Sequence, residues 1–168
     1  MQVRPRTPSD VDECVRIAEA VHDQDGYPAY LATSFKDFIV TDDALATWVA
    51  EHDGAVIGHA ALHRHTIPDV LTIASDALGR PIDQLGVVAR LFVDPERRQL
   101  GAGDALLEQA TLEARSRGLW PILDVCSDFT AAITLYERRG WTRVGHVDLV
   151  FGDLALTELV FIARESPH

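Results

Sequence analysis

The chain has few cysteines, few basic residues and no long apolar run. Only Cys14 and Cys126 occur among its 168 residues, too few for a disulfide framework, and no Cys/His spacing resembles a zinc site. Lys and Arg number 15 against 26 Asp and Glu, a net charge of -11. This balance argues against a nucleic-acid partner, because phosphate backbones need clustered basic side chains. No apolar run approaches the roughly 18 residues that a membrane span requires, so no membrane partner is expected.

The amino terminus lacks an apolar stretch behind its first six residues, which predicts that there is no signal peptide. A length of 168 residues with 47% hydrophobic residues is typical of one globular domain, here 1–168. We therefore expect a cytoplasmic protein, either a monomer or a homodimer. The acidic balance favours a cationic small molecule as partner, although the same charge also serves solubility.

In the first 65 residues, the sequence predicts a short strand, two helices and then a β-hairpin. A strand begins at Val3, and Thr7 with Pro8 has the form of a helix start. Apolar residues then recur at helical spacing to Val21, and a second, shorter helix is expected over 31–40. Strands over 47–50 and 55–65 are expected to form a hairpin through the turn 52–54.

The rest of the chain predicts an alternation of strands and helices. An inserted helix and loop is expected over 66–85, a strand over 86–93 and the strongest helix over 101–117. The remaining predictions are a strand over 122–125, a helix over 128–139 and strands over 142–150 and 155–163. Together these elements predict a single mixed-sheet α/β or α+β domain.

The segment 91–103 is the most informative part of the sequence. It combines a short apolar strand, a turn with two arginines and two glycines that open an amphipathic helix. A helix start leaves its first N–H groups without internal partners, and its dipole is positive there. Such a segment is suited to bind a phosphate or pyrophosphate.

Two of the glycine-rich phosphate sites do not match. A P-loop needs Gly-Lys-Ser/Thr, whereas Asp104 follows Gly103. A dinucleotide-binding fold has an acidic residue about 20 residues beyond its glycines, and Asp124 lies 21 residues beyond Gly103. However, Leu106 occupies the third glycine position, and seven residues separate the strand from Gly101.

A third kind of glycine-rich phosphate site matches the segment. The run Arg98-Gln99-Leu100-Gly101-Ala102-Gly103 resembles the Arg/Gln-x-x-Gly-x-Gly/Ala signature of the GNAT-type N-acetyltransferases, and 132–141, with Tyr136, resembles their second conserved block. The resemblance covers roughly 47–163 and implies a central mixed, mostly antiparallel sheet flanked by helices, with acetyl-CoA as co-substrate and no metal. One departure is Phe129, at a position where the family often has an asparagine that contacts the pantetheine arm.

The resemblance also implies roles for individual residues. The backbone of the strand Leu91, Phe92 and Val93 pairs with the pantetheine arm. The pyrophosphate is held by N–H groups of the segment Gln99, Leu100, Gly101, Ala102, Gly103 and Asp104, with charge from Arg98 and the choice of Arg97 left open. Tyr136 contacts the cofactor and is the expected general acid for the departing thiolate.

The general base remains open at the sequence level. His59, His63 and His65 alternate along one predicted strand and would face the same side. A histidine titrates near neutrality, so His63 is a candidate base, and Asp124 is another, although each of these residues also fits an ordinary strand, loop or surface role. Ordered water is a further alternative.

We therefore expect transfer of an acetyl group from acetyl-CoA to the primary amine of a small molecule, by direct attack in a ternary complex. Direct attack needs no covalent intermediate on Cys126. Two alternatives remain: acetylation of a protein or peptide amine, and a CoA-binding regulatory domain that has lost turnover.

Overall fold

The structure, a computed structural model, describes residues 1–166 as seven strands and five helices joined by short turns. The strands are β1 (Gln2–Pro5), β2 (Ala44–His52), β3 (Ala55–His63), β4 (Leu85–Val93), β5 (Trp120–Cys126), β6 (Thr142–Phe151) and β7 (Leu154–Ile162). The helices are α1 (Val11–Asp25), α2 (Phe35–Ile39), α3 (Pro68–Leu78), α4 (Ala102–Ser116) and α5 (Thr130–Arg138). Short 3-10 segments cover Pro8–Asp10, Ile82–Gln84 and Pro95–Leu100, the last of which is kinked at Arg97.

The first of two units consists of residues 1–63 and 88–113. Within it, β1, β2 and β3 pair as antiparallel neighbours, and β4 lies next to β3 in the strand order. The apolar face of α1 covers this part of the sheet with Cys14, Ile17, Ala18 and Val21, which cluster with Ile39, Val49 and Phe92. The 3.6-residue spacing of the α1 side chains is what places all four on that one face.

The entry into α1 is fixed by a buried carboxylate. Asp10 accepts a hydrogen bond from the backbone N–H of Thr7 at 2.7 Å and one from Arg4 at 2.8 Å. The Arg4 contact is the main reason that the pKa of Asp10 lies well below its usual range. This contact joins β1 to the start of α1, so the Thr7–Asp10 helix start expected from the sequence is confirmed.

The second unit consists of residues 64–87 and 114–166. The first residues of β4 run parallel to β5, while β5 pairs with β7 and β7 with β6 in antiparallel fashion. Helix α3 packs against β6 at Gly145, where an added Cβ would lie 2.8 Å from Cγ2 of Ile73. Glycine is needed at this position because the close approach leaves no room for a side chain.

The predicted fold class is confirmed: the strands form a mixed sheet in the order β1-β2-β3-β4-β5-β7-β6, with helices beside it. The helix predicted within 66–85 is also present, as α3. Extension of the hairpin strand to residue 65 is wrong, because β3 ends at His63, whose register partner Ala44 is the first residue of β2. The second helix is confined to 35–39. Across residues 1–166, no helix is both long and apolar enough to cross a membrane.

Candidate active site

The turn that follows β4 is held in place by Asp94. Its N–H donates to the carbonyl of Ile57 in β3 at 2.7 Å, and its side chain accepts from the N–H of Glu96 at 3.0 Å. The second carboxylate oxygen accepts from Arg16 of α1 at 3.1 Å. Because one buried residue is tied to a strand, a turn and a helix, the segment that begins here has a defined position.

Gly101 joins this turn to α4. Its φ is +80°, in the left-handed region that favours glycine, and the first bond of α4 runs from the N–H of Ala105 to its carbonyl at 3.1 Å. A Cβ at Gly101 would meet no atom within 4 Å, so the space beside this turn is open. The opening turn of α4, at Ala102 and Gly103, supplies N–H groups that a helix does not bond internally. Such a donor set fits the diphosphate of a coenzyme A thioester.

The two arginines of the turn differ in their surroundings. Arg98 forms an ion pair with Asp25, the last residue of α1, and both side chains are partly exposed. Arg97 is exposed and has a non-helical backbone, with φ of -127° and ψ of 20°. Arg98, at the signature position, is therefore held beside the turn by α1.

The end of β4 carries a backbone irregularity. Arg90 has a φ of +53°, a conformation that costs a residue with a side chain roughly 1–2 kcal/mol. Its Nε donates to the carbonyl of Phe38 at 2.9 Å, and its guanidinium lies 4.3 Å from the centre of the Phe38 ring. Directly after it come Leu91, Phe92 and Val93, of which Phe92 is buried in the core.

The three histidines expected on one face have different environments. His59 is fully buried, with Nδ1 2.9 Å from the carbonyl oxygen of Arg90 and Nε2 3.0 Å from a guanidinium nitrogen of Arg6. Burial lowers the pKa of His59 to about 4. Since both ring nitrogens contact protein groups, His59 is not placed to accept a substrate proton.

His63, the candidate base, is buried at the end of β3. Its Nδ1 lies 3.8 Å from a carboxylate oxygen of Asp43, in the turn before β2. The Asp43 side chain is itself partly exposed. His65 is exposed and lies beyond the strand, so the expectation that it shares the face of His59 and His63 is wrong.

In the second unit, Tyr136 is buried on α5. Its ring centre lies 6.2 Å from that of Trp141 and 6.0 Å from that of Phe161. The Trp141 N–H also donates to the Tyr136 carbonyl at 3.0 Å. These contacts fix the end of α5, which lies at Arg138 against a predicted end at 139, and restrict the tyrosine ring.

Asp124 lies inside β5, within the strand predicted over 122–125. Its Oδ1 accepts from the Thr66 hydroxyl at 2.7 Å, and it shares a hydrogen bond with Glu158 of β7. Desolvation and the charge of Asp124 raise the pKa of Glu158 to about 8. The sequence analysis missed Glu158, although a glutamate in the mostly apolar strand 154–162 was a visible signal.

Cys126 is buried, and desolvation raises the pKa of its thiol, which disfavours the nucleophilic thiolate. Within residues 1–166, no group of three or more His, Cys, Asp or Glu side chains is arranged to hold a metal ion.

The chain is similar to known proteins in sequence and in fold. The family model described as Acetyltransferase (GNAT) family matches residues 12–141. A mycothiol acetyltransferase from Geodermatophilus obscurus is 44% identical over 62 residues, which are 36% of this chain and 20% of that protein. Another from Cellulomonas flavigena is 32% identical over 105 residues, or 62% of this chain and 28% of that protein. This chain thus spans only 20% and 28% of the length of these two curated relatives.

Solved structures show the same fold at low sequence identity. An N-acetyltransferase from Staphylococcus aureus Mu50 has a TM-score of 0.73 at 16% identity, covering 96% of each chain. The yncA protein of Salmonella typhimurium, solved with its cofactor acetyl-CoA, has a TM-score of 0.70 at 17% identity, covering 100% of this chain and 95% of the other. Because the family model matches well over half of the sequence, this chain belongs to the GNAT family of acetyltransferases.

Proposed function

We propose that this chain transfers the acetyl group of acetyl-CoA to the primary amine of a small molecule, by direct attack in a ternary complex. The main support for the proposal is the turn before α4, where Gly101 has a left-handed backbone conformation and precedes the helix beside the Arg98 side chain. Family membership supports acetyl-CoA as the donor. The cytoplasmic location and the monomeric or homodimeric state expected from the sequence belong to the same proposal.

The proposed cofactor contacts are mostly backbone groups. The edge of β4 at Leu91, Phe92 and Val93 would pair with the pantetheine arm, as an added strand does at a sheet edge. The diphosphate would be bound by the segment Gln99, Leu100, Gly101, Ala102, Gly103 and Asp104 together with the guanidinium of Arg98. The left-handed Gly101 and the open space beside it support this assignment.

The amine nitrogen must lose two protons in the reaction, and the departing thiolate must gain one. An alkyl ammonium has a pKa near 10 and must lose its proton before its nitrogen can attack the thioester carbonyl. We assign proton removal to His63, whose imidazolium the nearby Asp43 would stabilise. As the new C–N bond forms, the C–S bond breaks and the phenol of Tyr136 would protonate the departing thiolate. The nitrogen would then lose its second proton to the Tyr136 phenolate, which leaves a neutral amide and restores the phenol.

The charge of the chain supports a cationic acceptor. The net charge of -11 favours an amine that carries positive charge, such as an amino acid derivative, a polyamine or an aminoglycoside. Two of the relatives are named mycothiol acetyltransferases, so by name they act on mycothiol. Acetylation of a peptide amine is the alternative that the experiment must separate.

The test is incubation of the purified chain with acetyl-CoA and either a panel of small amines or a peptide library. Release of free coenzyme A and the mass of the acetylated product are measured together. The proposal expects acetylated small amines and coenzyme A release that depends on them. Acetylated peptides alone would favour the protein substrate, and cofactor binding without turnover on either panel would favour a regulatory CoA-binding domain.

A further inference from the structure

Arg90, a residue with a side chain, adopts a left-handed backbone conformation within β4. Arg90 has a φ of +53° within β4, immediately before the segment 91–93. Such a conformation persists only where its surroundings determine it. The groups that contact Arg90 therefore decide how the following three residues present their backbone.

His59 contacts the backbone of Arg90 directly. Its Nδ1 lies 2.9 Å from the Arg90 carbonyl oxygen, and its ring stacks on Phe92 with 5.2 Å between ring centres and 15° between planes. A carbonyl can only accept, so Nδ1 carries the hydrogen and donates. One side chain thus contacts β4 on both sides of Leu91.

Arg6 determines which tautomer of the His59 ring is present. Its guanidinium nitrogen lies 3.0 Å from Nε2 of His59, and the same nitrogen donates to the carbonyl of Ile39 at 2.8 Å. A guanidinium can only donate, so Nε2 must be an unprotonated acceptor. The two contacts together specify the neutral tautomer with hydrogen on Nδ1, in agreement with the complete burial of the ring.

The Arg90 side chain is held as well as its carbonyl. Its Nε donates to the carbonyl of Phe38 at 2.9 Å while its guanidinium covers the Phe38 ring. Arg6 and Arg90 therefore both bond carbonyls at the end of α2, and His59 lies between them. The result is a connected network of three side chains around one backbone irregularity.

We propose that His59 is a positioning residue for acetyl transfer, which holds Arg90 in its left-handed conformation and so orients the backbone of Leu91, Phe92 and Val93 toward the pantetheine arm. This inference rests on the proposed function, since it assigns an orientation to the strand edge that the cofactor would use. His59 itself does not contact the cofactor in this account.

The test compares two substitutions of the same residue. His59→Leu removes both polar contacts, whereas His59→Asn keeps an amide N–H near the position of Nδ1 that can donate to the Arg90 carbonyl. Val147→Ala, a buried truncation in β6, serves as the control for loss of stability alone. For each protein we would measure the acetyl-CoA dissociation constant, the melting temperature and the exchange rates of the amides at 90–93 by NMR.

We expect His59→Leu to weaken acetyl-CoA binding by about tenfold, the effect of one lost buried hydrogen bond, and to speed exchange at 90–93. His59→Asn should restore both, while Val147→Ala lowers the melting temperature without changing either. If folded His59→Leu and the parent had equal dissociation constants and exchange rates, this inference would be overturned and the proposed function would be unaffected. A parent that binds no acetyl-CoA would instead refute the proposed function, whereas the exchange rates would still report whether His59 holds the strand.

Discussion

Arg98, the arginine of the phosphate-binding signature, is held in an ion pair by Asp25 at the end of α1. The two residues lie 73 positions apart in the sequence. A guanidinium next to a carboxylate has part of its charge neutralised before a phosphate arrives. In the proposed site, Asp25 and the diphosphate therefore compete for the same positive charge.

Asp25→Asn is expected to tighten acetyl-CoA binding by about two- to fivefold, since an exposed ion pair is worth no more than about 1 kcal/mol. Isothermal titration calorimetry gives the acetyl-CoA dissociation constants of the variant and the parent at low and high salt. Salt should reduce the difference between the two constants because it screens exposed charges. Asp23→Asn removes the same charge from an exposed position on α1 and should change the affinity less. Weaker binding by Asp25→Asn would show that the pair assists the cofactor instead.

Gly103→Val is expected to weaken acetyl-CoA binding by at least about tenfold, because a branched side chain in the opening turn of α4 would crowd the N–H groups assigned to the diphosphate. The control is Leu112→Val, which places the same side chain at an exposed position of the same helix. Titration calorimetry gives both dissociation constants. An unchanged value for Gly103→Val would contradict the assigned phosphate site.

Tyr136→Phe tests the proposed general acid. Removal of the phenol proton should lower kcat by about 100-fold or more, the usual contribution of a positioned acid, while the acetyl-CoA dissociation constant stays within about twofold. Thr134→Val is a matched control, since it removes a hydroxyl from α5 that donates only to the Thr130 carbonyl in this structure. Parent-like turnover by Tyr136→Phe would leave the thiolate to be protonated by another group.

Glu158 gives the protein a pH-dependent stability of known sign. Its pKa is raised in the fold to about 8 from an ordinary 4.5, so the folded state binds a proton that the unfolded state has already lost between these values. The free energy of unfolding should therefore fall as the pH rises through this window. The contribution is fully present below the lower value and is lost near pH 8.

Glu158→Gln removes this ionisation while it keeps a donor for Asp124. At pH 8 we expect the melting temperature to rise by about 3 °C, the shift that about 1 kcal/mol produces in a chain of this length, with little difference near pH 4. Glu108→Gln, at an exposed position, should show no such rise. Thermal melts of the three proteins from pH 4 to 9 test this prediction. If the melting temperatures of the parent and Glu158→Gln changed with pH in the same way, the pKa assigned to Glu158 would be refuted.

Local patterns in the sequence predicted the elements whose boundaries are set locally. The apolar stripe from Leu106 to Ala114 and the stop signal at Gly118 predicted α4, and the glycine at 101 predicted the turn that opens it. The end of β3 was mispredicted, since a strand ends where its partner strand does, and β2 pairs no further than Ala44. That limit depends on the pairing of the two strands and not on the residues of β3 alone.

The side-chain partnerships could not be predicted for the same reason. Glu158 meets Asp124 because β5 and β7 are neighbours, although the chain passes through α5 and β6 between them. His59 was recognised as a strand residue, yet its contacts with Arg6 and Arg90 depend on the folded arrangement of three separate segments. Periodicity shows which face a residue shares but not which residue it will meet there.

The most direct measurement is a crystal structure of the chain with acetyl-CoA. The account predicts diphosphate oxygens within hydrogen-bond distance of backbone N–H groups between Gln99 and Asp104, with the Arg98 guanidinium alongside. A nucleotide bound elsewhere, or a turn occupied by the chain's own side chains while acetyl-CoA is present, would contradict it.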